Sequence, residues 1–463
     1  MTAWYDKAIF YHMYPLGMTG APFANPYPVS DGTADGTRDV SSDSRMDELM
    51  QWIPYLESLH ISAIYIGPLF ESSTHGYDTR DFRLIDRRLG TNVSFRSFVD
   101  CCHEHGIRVV VDGVFNHTGR EFFAFRDLQA HRDQSPYAGW YRNVNFGWGS
   151  PPGDSFGYES WHGIWELPCL NHRNPEVRNY LLDTVRFWVQ EFDIDGIRLD
   201  CAGDLSFEFM QELRRLANEI KPEFWLMGEV IHGEYARWVN PQMLHSVTNY
   251  EMHKSIYSAH NDHNYFELAH NVRRLEAVGR DLYTFVDNHD EDRIASKLLN
   301  PAHLAPLYTL LFTLPGIPSI YYGSEFGIEG KKEWGSDWPL RPCLELTDYT
   351  DAEKTNPVTS IYAALGSLKA ECPELSWGEF KELTLTTQSY AYARVLDGKA
   401  VVAVYNNGDS PVSMEFQLPV EASGVEDLLA DCVGSQPILT QVEWGKLKVQ
   451  LPSNYATLLR LIG

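Results

Sequence analysis

Eight short apolar runs, separated by longer amphipathic stretches, constrain this chain more than any other feature of its sequence. They are AIFYHMYP from Ala8, ISAIYIGPLF from Ile61, IRVVVDGVF from Ile107 and IDGIRLDC from Ile194, then FWLMGEVI from Phe224, SVTNYEM from Ser246, LYTFVDNHD from Leu282 and IPSIYYGSEF from Ile317. Runs rich in Val, Ile, Tyr and Phe, with no steady polar alternation, are the pattern of strands buried on both faces, as in a parallel sheet covered by helices. The stretches between them read as those helices. Val177, Leu181, Val185, Trp188 and Phe192 recur at helical steps and lay one apolar stripe against the sheet. Further helices are expected over about 46–59, 94–105, 205–220 and 303–314.

Eight such units fit a closed α/β barrel, and 463 residues leave room for more. The rhythm breaks between His117 and about Asn171, where Gly-, Pro- and Trp-rich residues such as FGWGSPPGDSFGYESWHGIW run too long for an ordinary loop. After an amphipathic stretch near 361–368, the pattern changes to alternating segments such as LTLTTQSYAYARV, KAVVAVYNN and KLKVQLP. The expected fold is therefore a (β/α)8 TIM barrel with an inserted subdomain after strand three and a C-terminal antiparallel β-sandwich. The barrel is assigned to residues 1–117 and 172–372, the insertion to 118–171 and the β domain to 373–463.

With 63 acidic against 38 basic residues, the chain carries a formal charge of -25, which repels phosphate backbones and anionic lipid. Nucleic acid and membrane partners are not expected. The start, MTAWYDKAIFYHMYPLG, has no cationic segment followed by a long apolar run, and no stretch of about 18 apolar residues occurs elsewhere. A cytoplasmic protein is expected. Seven cysteines, scattered without CxxC pairs, fit a reducing compartment better than a disulfide frame or a zinc site.

In a barrel of this kind reactive side chains gather at the carboxyl ends of the strands, where the loops form one shared pocket. Polar residues stand at those ends: Asp112 and His117 after the third run, Arg198 and Asp200 at the fourth, Glu229 at the fifth, His289 and Asp290 at the seventh. Two carboxyl groups roughly 5–5.5 Å apart would serve glycosidic hydrolysis with retention, one attacking and one protonating the leaving oxygen. Asp200 and Glu229 end neighbouring strands. Arg198, two residues before Asp200, points to the same side and would hold that acid ionised. Each residue alone also has a structural reading, an Asp as a helix cap and a His as a hydrogen-bonded core group.

The segments DGVFNH (112–117), GIRLDCAGD (196–204), GEV (228–230) and FVDNHD (285–290) resemble, in order, the four signature regions of the α-amylase family. HGYDTRDFRLIDRRLGT, from His75, is similar to the family's stretch after strand two, and GIPSIYYGSE, from Gly316, to its eighth strand. The resemblance implies Asp200 as nucleophile, Glu229 as acid/base and Asp290 as the carboxylate that stabilises the transition state. It implies Tyr77 as a stacking platform, with His117, Arg198 and His289 as partners of the attacked ring. Asp112 matches a structural acid. The implied substrate is a starch-derived oligosaccharide cut at α-1,4 bonds. Cyclomaltodextrinase, neopullulanase or transglycosylase action would use the same residues. A non-catalytic sugar-binding relative on the same barrel is the alternative of another class, and such proteins lose one or more of the three carboxylates.

The departures bear on metal. Gly203 and Asp204 stand where many secreted members carry Lys-His, the His being a calcium ligand, although Asn116 matches another ligand of that site. Asp31, Asp35 and Asp39 in SDGTADGTRD have a spacing that suits either an oxygen-ligand loop or a solvated Gly-rich turn. No metal ligand is assigned and the chemistry is expected to need no cofactor. The segment LPCLN (167–171) resembles the neopullulanase-like pattern, with Cys at position 169 where Lys is usual. With strand one inside the first ten residues, the N-terminal, dimer-forming domain of typical cyclomaltodextrinases is expected to be missing.

Overall fold

The computed structural model describes residues 3–29 and 44–463, so Asp31, Asp35 and Asp39 lie outside the described residues. Each of the eight apolar runs supplies one strand of a parallel sheet: β1 Phe10–Met13, β2 Ala63–Ile66, β3 Arg108–Gly113, β4 Gly196–Leu199, β5 Trp225–Gly228, β6 Ser246–Val247, β7 Tyr283–Thr284 and β8 Ile317–Tyr321. Their order is β6-β5-β4-β3-β2-β1-β8-β7, and a parallel bridge between Thr248 and Tyr283 closes the ring.

Alternation within the strands builds two cores. Phe10, Ala63, Tyr65, Val110, Trp225 and Met227 cluster inside the barrel. Their neighbours Tyr11, Ile64, Val109, Val111 and Leu226 join the larger core that meets the helices. Both faces are thus apolar, which is why these strands read as continuous hydrophobic runs. The helix Pro175–Phe192 buries the stripe expected of it, Val177, Leu181, Val185, Trp188 and Phe192.

Two elements differ from expectation. SVTNYEM is extended only at its start, because the Asn249 side chain accepts a hydrogen bond from the Met252 N–H and caps a helix over Tyr250–Asn261. The segment 46–59 forms two helices, Arg45–Met50 and Ile53–Ser58, since Pro54 has no N–H to give and is tolerated only in a first turn.

The insertion between β3 and β4 contains a helix, Phe123–His131, and a hairpin of Ser160–Trp161 with Ile164–Pro168. At the hairpin tip His162 and Gly163 both have positive φ, +47° and +81°, as a two-residue primed turn requires. A bridge of His117 with Cys169 ties the insertion to the segment leaving β3, and one of Tyr141 with Leu170 holds the insertion together. Beyond the barrel, a five-stranded and a three-stranded antiparallel sheet face each other across Ala391, Val402, Val404, Phe416, Val449 and Leu459. Among the described residues, no helix is long and apolar enough to cross a membrane.

Candidate active site

The inward positions of β2, β3 and β4 end in polar groups that rest on one another. Tyr65 donates its hydroxyl to Asp112 Oδ2 at 2.8 Å, and Arg198, in register with Asp112, donates through Nη1 to Asp112 Oδ1 at 2.9 Å. The backbone must pass close to admit this stack. A Cβ on Gly67, just after β2, would stand 2.4 Å from that of Asp112, so only glycine fits there.

Above the stack the Arg198 guanidinium joins two more carboxylates. Nη1 donates to Asp200 Oδ1 at 2.7 Å, and Nη2 lies 2.9 Å from Glu229 Oε2. Burial works against the charge on Arg198, but Asp112 and Glu229 outweigh it, so the group stays a cation. The Cys201 N–H also donates to Glu229 Oε2 at 3.1 Å, and the Tyr250 hydroxyl to Oε1 at 3.4 Å. Burial pushes the Asp200 carboxyl up to about 8, with Arg198 opposing and the Glu229 charge adding to the rise. Arg198 alone therefore does not hold Asp200 ionised, contrary to the sequence expectation. Asp200 is buried and Glu229 partly exposed; two carboxyls this close share a proton, and the titration belongs to the pair.

Asp290 is set differently. Burial acts to raise its pKa, but His289, Arg341 and Arg198 hold it well below the usual carboxylate range. His289 Nε2 is 3.0 Å from one Asp290 oxygen and Arg341 Nη2 2.9 Å from the other. Tyr77 stacks on His289, with ring centroids 5.6 Å apart, and its hydroxyl meets His289 Nε2 at 2.5 Å.

These groups meet at a cleft of about 970 Å³ at the carboxyl ends of the strands. Of the residues singled out in the sequence, Tyr77, His117, Asp200, Glu229 and Asp290 line it. Arg198 and His289 stand buried behind them. Asp78, next to Tyr77, fixes its own loop, accepting from the Thr74 N–H and hydroxyl at 3.0 and 2.7 Å. Trp161, from the inserted hairpin, also lines the cleft; its Nε1 donates to Asp204 Oδ2 at 3.2 Å and its ring lies against His117.

Sequence reasoning missed Arg341, Tyr65, Tyr250, Trp161 and also Tyr14, whose ring stacks on His289 and whose hydroxyl accepts from Arg341 Nη1 at 3.1 Å. Tyr14 and Tyr65 sit in the first and second apolar runs, where a tyrosine near a strand end was a usable signal. Arg341 comes from an irregular segment after β8 and carried none.

Among the described residues, the side chains close enough to share a metal ion are Asp200, Cys201 and Glu229, whose ligand atoms lie within 4.8 Å of one another. The Arg198 cation bonded to both carboxylates disfavours a second cation there. Asn116, whose oxygen was weighed as a calcium ligand, receives a hydrogen bond from Arg142 Nη2 at 2.8 Å.

Comparison with known proteins shows the family and the fold. The family described as "Alpha amylase, catalytic domain" matches residues 27–366. A cyclomaltodextrinase of Thermoanaerobacter pseudethanolicus is 30% identical over 439 residues, spanning 92% of this chain and 74% of that protein. Neopullulanase 2 of Thermoactinomyces vulgaris is 30% identical over 471 residues, 97% and 76% of the respective lengths. Among solved structures, the native debranching enzyme of Nostoc punctiforme is similar with a TM-score of 0.80 and 26% identity, over 99% of this chain and 100% of that one.

Proposed function

From membership of the α-amylase family of glycoside hydrolases, to which this chain belongs, we propose that it hydrolyses α-1,4 bonds of starch-derived maltooligosaccharides with retention. The observation that carries this reading is the separation of two carboxylates. One oxygen of Asp200 and one of Glu229 lie within 4.8 Å of each other. An inverting enzyme keeps its pair roughly 6.5–9.5 Å apart to seat a water, so this spacing favours direct attack by Asp200 on the anomeric carbon.

In the reactive arrangement the shared proton is on Glu229 and the charge on Asp200, where Arg198 Nη1 donates to it. Glu229 protonates the departing oxygen as Asp200 forms the glycosyl ester. The ester carries no charge, so Glu229 loses its like-charged neighbour's repulsion and becomes the base that activates water. Asp290, held ionised by His289 and Arg341, faces the oxocarbenium-like charge that develops in both steps. Tyr77 offers a ring face and His117 lies beside the same sugar, while His289 supports Tyr77 and Asp290 from behind. Two carboxyl groups suffice for this chemistry, and no cofactor is assigned to it.

The names of the relatives support maltodextrins as the substrate class and bring in a second reading, opening of cyclic maltodextrins, which uses the same residues. Products from maltoheptaose, pullulan and β-cyclodextrin separate the two. A cytoplasmic setting is supported by seven unpaired thiols. Proton NMR in the first minutes of hydrolysis, before mutarotation, tests the mechanism: the α anomer is expected at the new reducing end, and an initial β signal would overturn retention.

A further inference from the structure

Arg142, in the insertion, ends on three oxygens that belong to different segments. Its Nη2 donates to Asn116 Oδ1 at 2.8 Å, its Nε to the Leu170 carbonyl at 2.9 Å and its Nη1 to Glu159 Oε1 at 3.2 Å. A guanidinium has donors only, so the oxygen of the Asn116 amide has to face it. The amide nitrogen is thereby turned the other way, where it lies 3.3 Å from His117 Nδ1. An amide nitrogen also only donates. Nδ1 must then be the bare, accepting nitrogen, and the remaining ring proton sits on Nε2.

Burial depresses the His117 pKa to about 3, with His75 and Arg142 the nearby cationic or titratable groups that add to the fall. The ring is therefore neutral, and the choice lies between two tautomers. The Tyr77 backbone also lies near the ring and acts to raise its pKa, against the burial. The Asn116 amide decides between the tautomers. Nε2 is buried with no hydrogen-bond partner, while His117 as a residue lines the cleft. An unsatisfied, enclosed N–H is costly, and this one gains a partner if the ring, against which Trp161 lies, shifts to meet a substrate oxygen.

We propose that Arg142 is a positioning residue for the reaction: acting through Asn116, it fixes His117 in the Nε2–H tautomer, so that the ring meets the sugar as a hydrogen-bond donor. The proposal rests on the reading of His117 as a sugar contact. It also removes the Asn116 oxygen from the ligands open to a metal ion, because an organic cation already occupies it.

Nitrogen-15 spectra of histidine-labelled, ligand-free protein read the tautomer directly, with the His117 signals assigned by their loss in His117→Gln. The expected wild-type pattern is a protonated Nε2 and a bare Nδ1. In Asn116→Asp the carboxylate still pairs with Arg142 but cannot donate, so Nδ1 takes the proton and the pattern inverts. The same variant should lose about tenfold in kcat/KM on maltooligosaccharides, the effect of one hydrogen bond. Arg142→Met frees the amide to rotate and should give a mixture of tautomers, whereas Arg142→Lys should restore the wild-type pattern in part. A purely structural role for Arg142 would lower the melting temperature of Arg142→Met and leave the tautomer of the folded protein unchanged. That outcome, an unaltered tautomer in Asn116→Asp, or a wild-type ring protonated on Nδ1 overturns the proposal. Inversion in Asn116→Asp, together with an unchanged KM in His117→Gln, would leave the relay standing and refute only the sugar contact.

Discussion

Replacing Glu229 by glutamine removes one charge from the carboxylate pair at almost constant volume, and the effect on Asp200 follows from the distance between them. With oxygens within 4.8 Å and an effective dielectric constant of about 20, the Coulomb energy is about 3–4 kcal/mol, or roughly 2.5 pH units. Asp200, pushed up to about 8 in the wild type by burial and by Glu229, should therefore titrate roughly 2.5 pH units lower in Glu229→Gln. The assay is kcat/KM against pH on an α-maltosyl fluoride, whose leaving group needs no proton. Wild-type hydrolysis of maltotriose should fall above about pH 8, where the pair gives up its shared proton. The variant on the fluoride should rise along a single limb to a plateau that persists at alkaline pH. A profile that still falls above pH 8, or a limb that stays near 8, would refute both the distance argument and the division of roles between the two acids.

Two further outcomes follow from the charges. Lys369, 4% exposed, donates at 3.4 and 3.3 Å to the Phe312 and Leu375 carbonyls, and burial with Arg394 nearby lowers its pKa from 10.5 to about 7. The unfolded chain binds a proton between pH 7 and 10.5 that the folded chain does not, so this group makes stability rise with pH across that window. Below it the buried cation costs about 5 kcal/mol. Lys369→Met, which also loses two long hydrogen bonds, should be roughly 2–3 kcal/mol more stable than wild type at pH 7 and no more stable at pH 10.5 in urea unfolding; equal gains at both pH values would show that the lysine is not the cause. Treatment with EDTA should leave the melting temperature within about a degree, because a guanidinium holds Asn116 Oδ1. A fall of many degrees would mean that a bound ion stabilises the fold.

Periodicity alone placed the barrel strands, since a strand buried on both faces has to be apolar throughout and stays legible without its neighbours. The helix over Pro175–Phe192 was legible for the same reason. Strand β6 was overestimated because Asn249 serves the helix that follows, and a capping side chain competes with extension only once the helix exists. Asp200 and Arg198 were paired from their two-residue spacing on one strand, and Glu229 from its place at the end of the next.

What the sequence determined by itself is therefore local and repetitive: which segments are strands, which polar residues end them, and the family those motifs resemble. Tertiary structure decided what depends on distance and solvent. Arg341 reaches Asp290 from an irregular segment after β8, and Arg142 reaches Asn116 from inside the insertion. Neither contact follows a period. The acid that Arg198 was expected to keep charged is instead pushed up, because burial of Asp200 and the nearness of Glu229 outweigh one guanidinium that is itself divided among three carboxylates. Desolvation is a property of everything packed around a group, and the order of residues along the chain does not carry it.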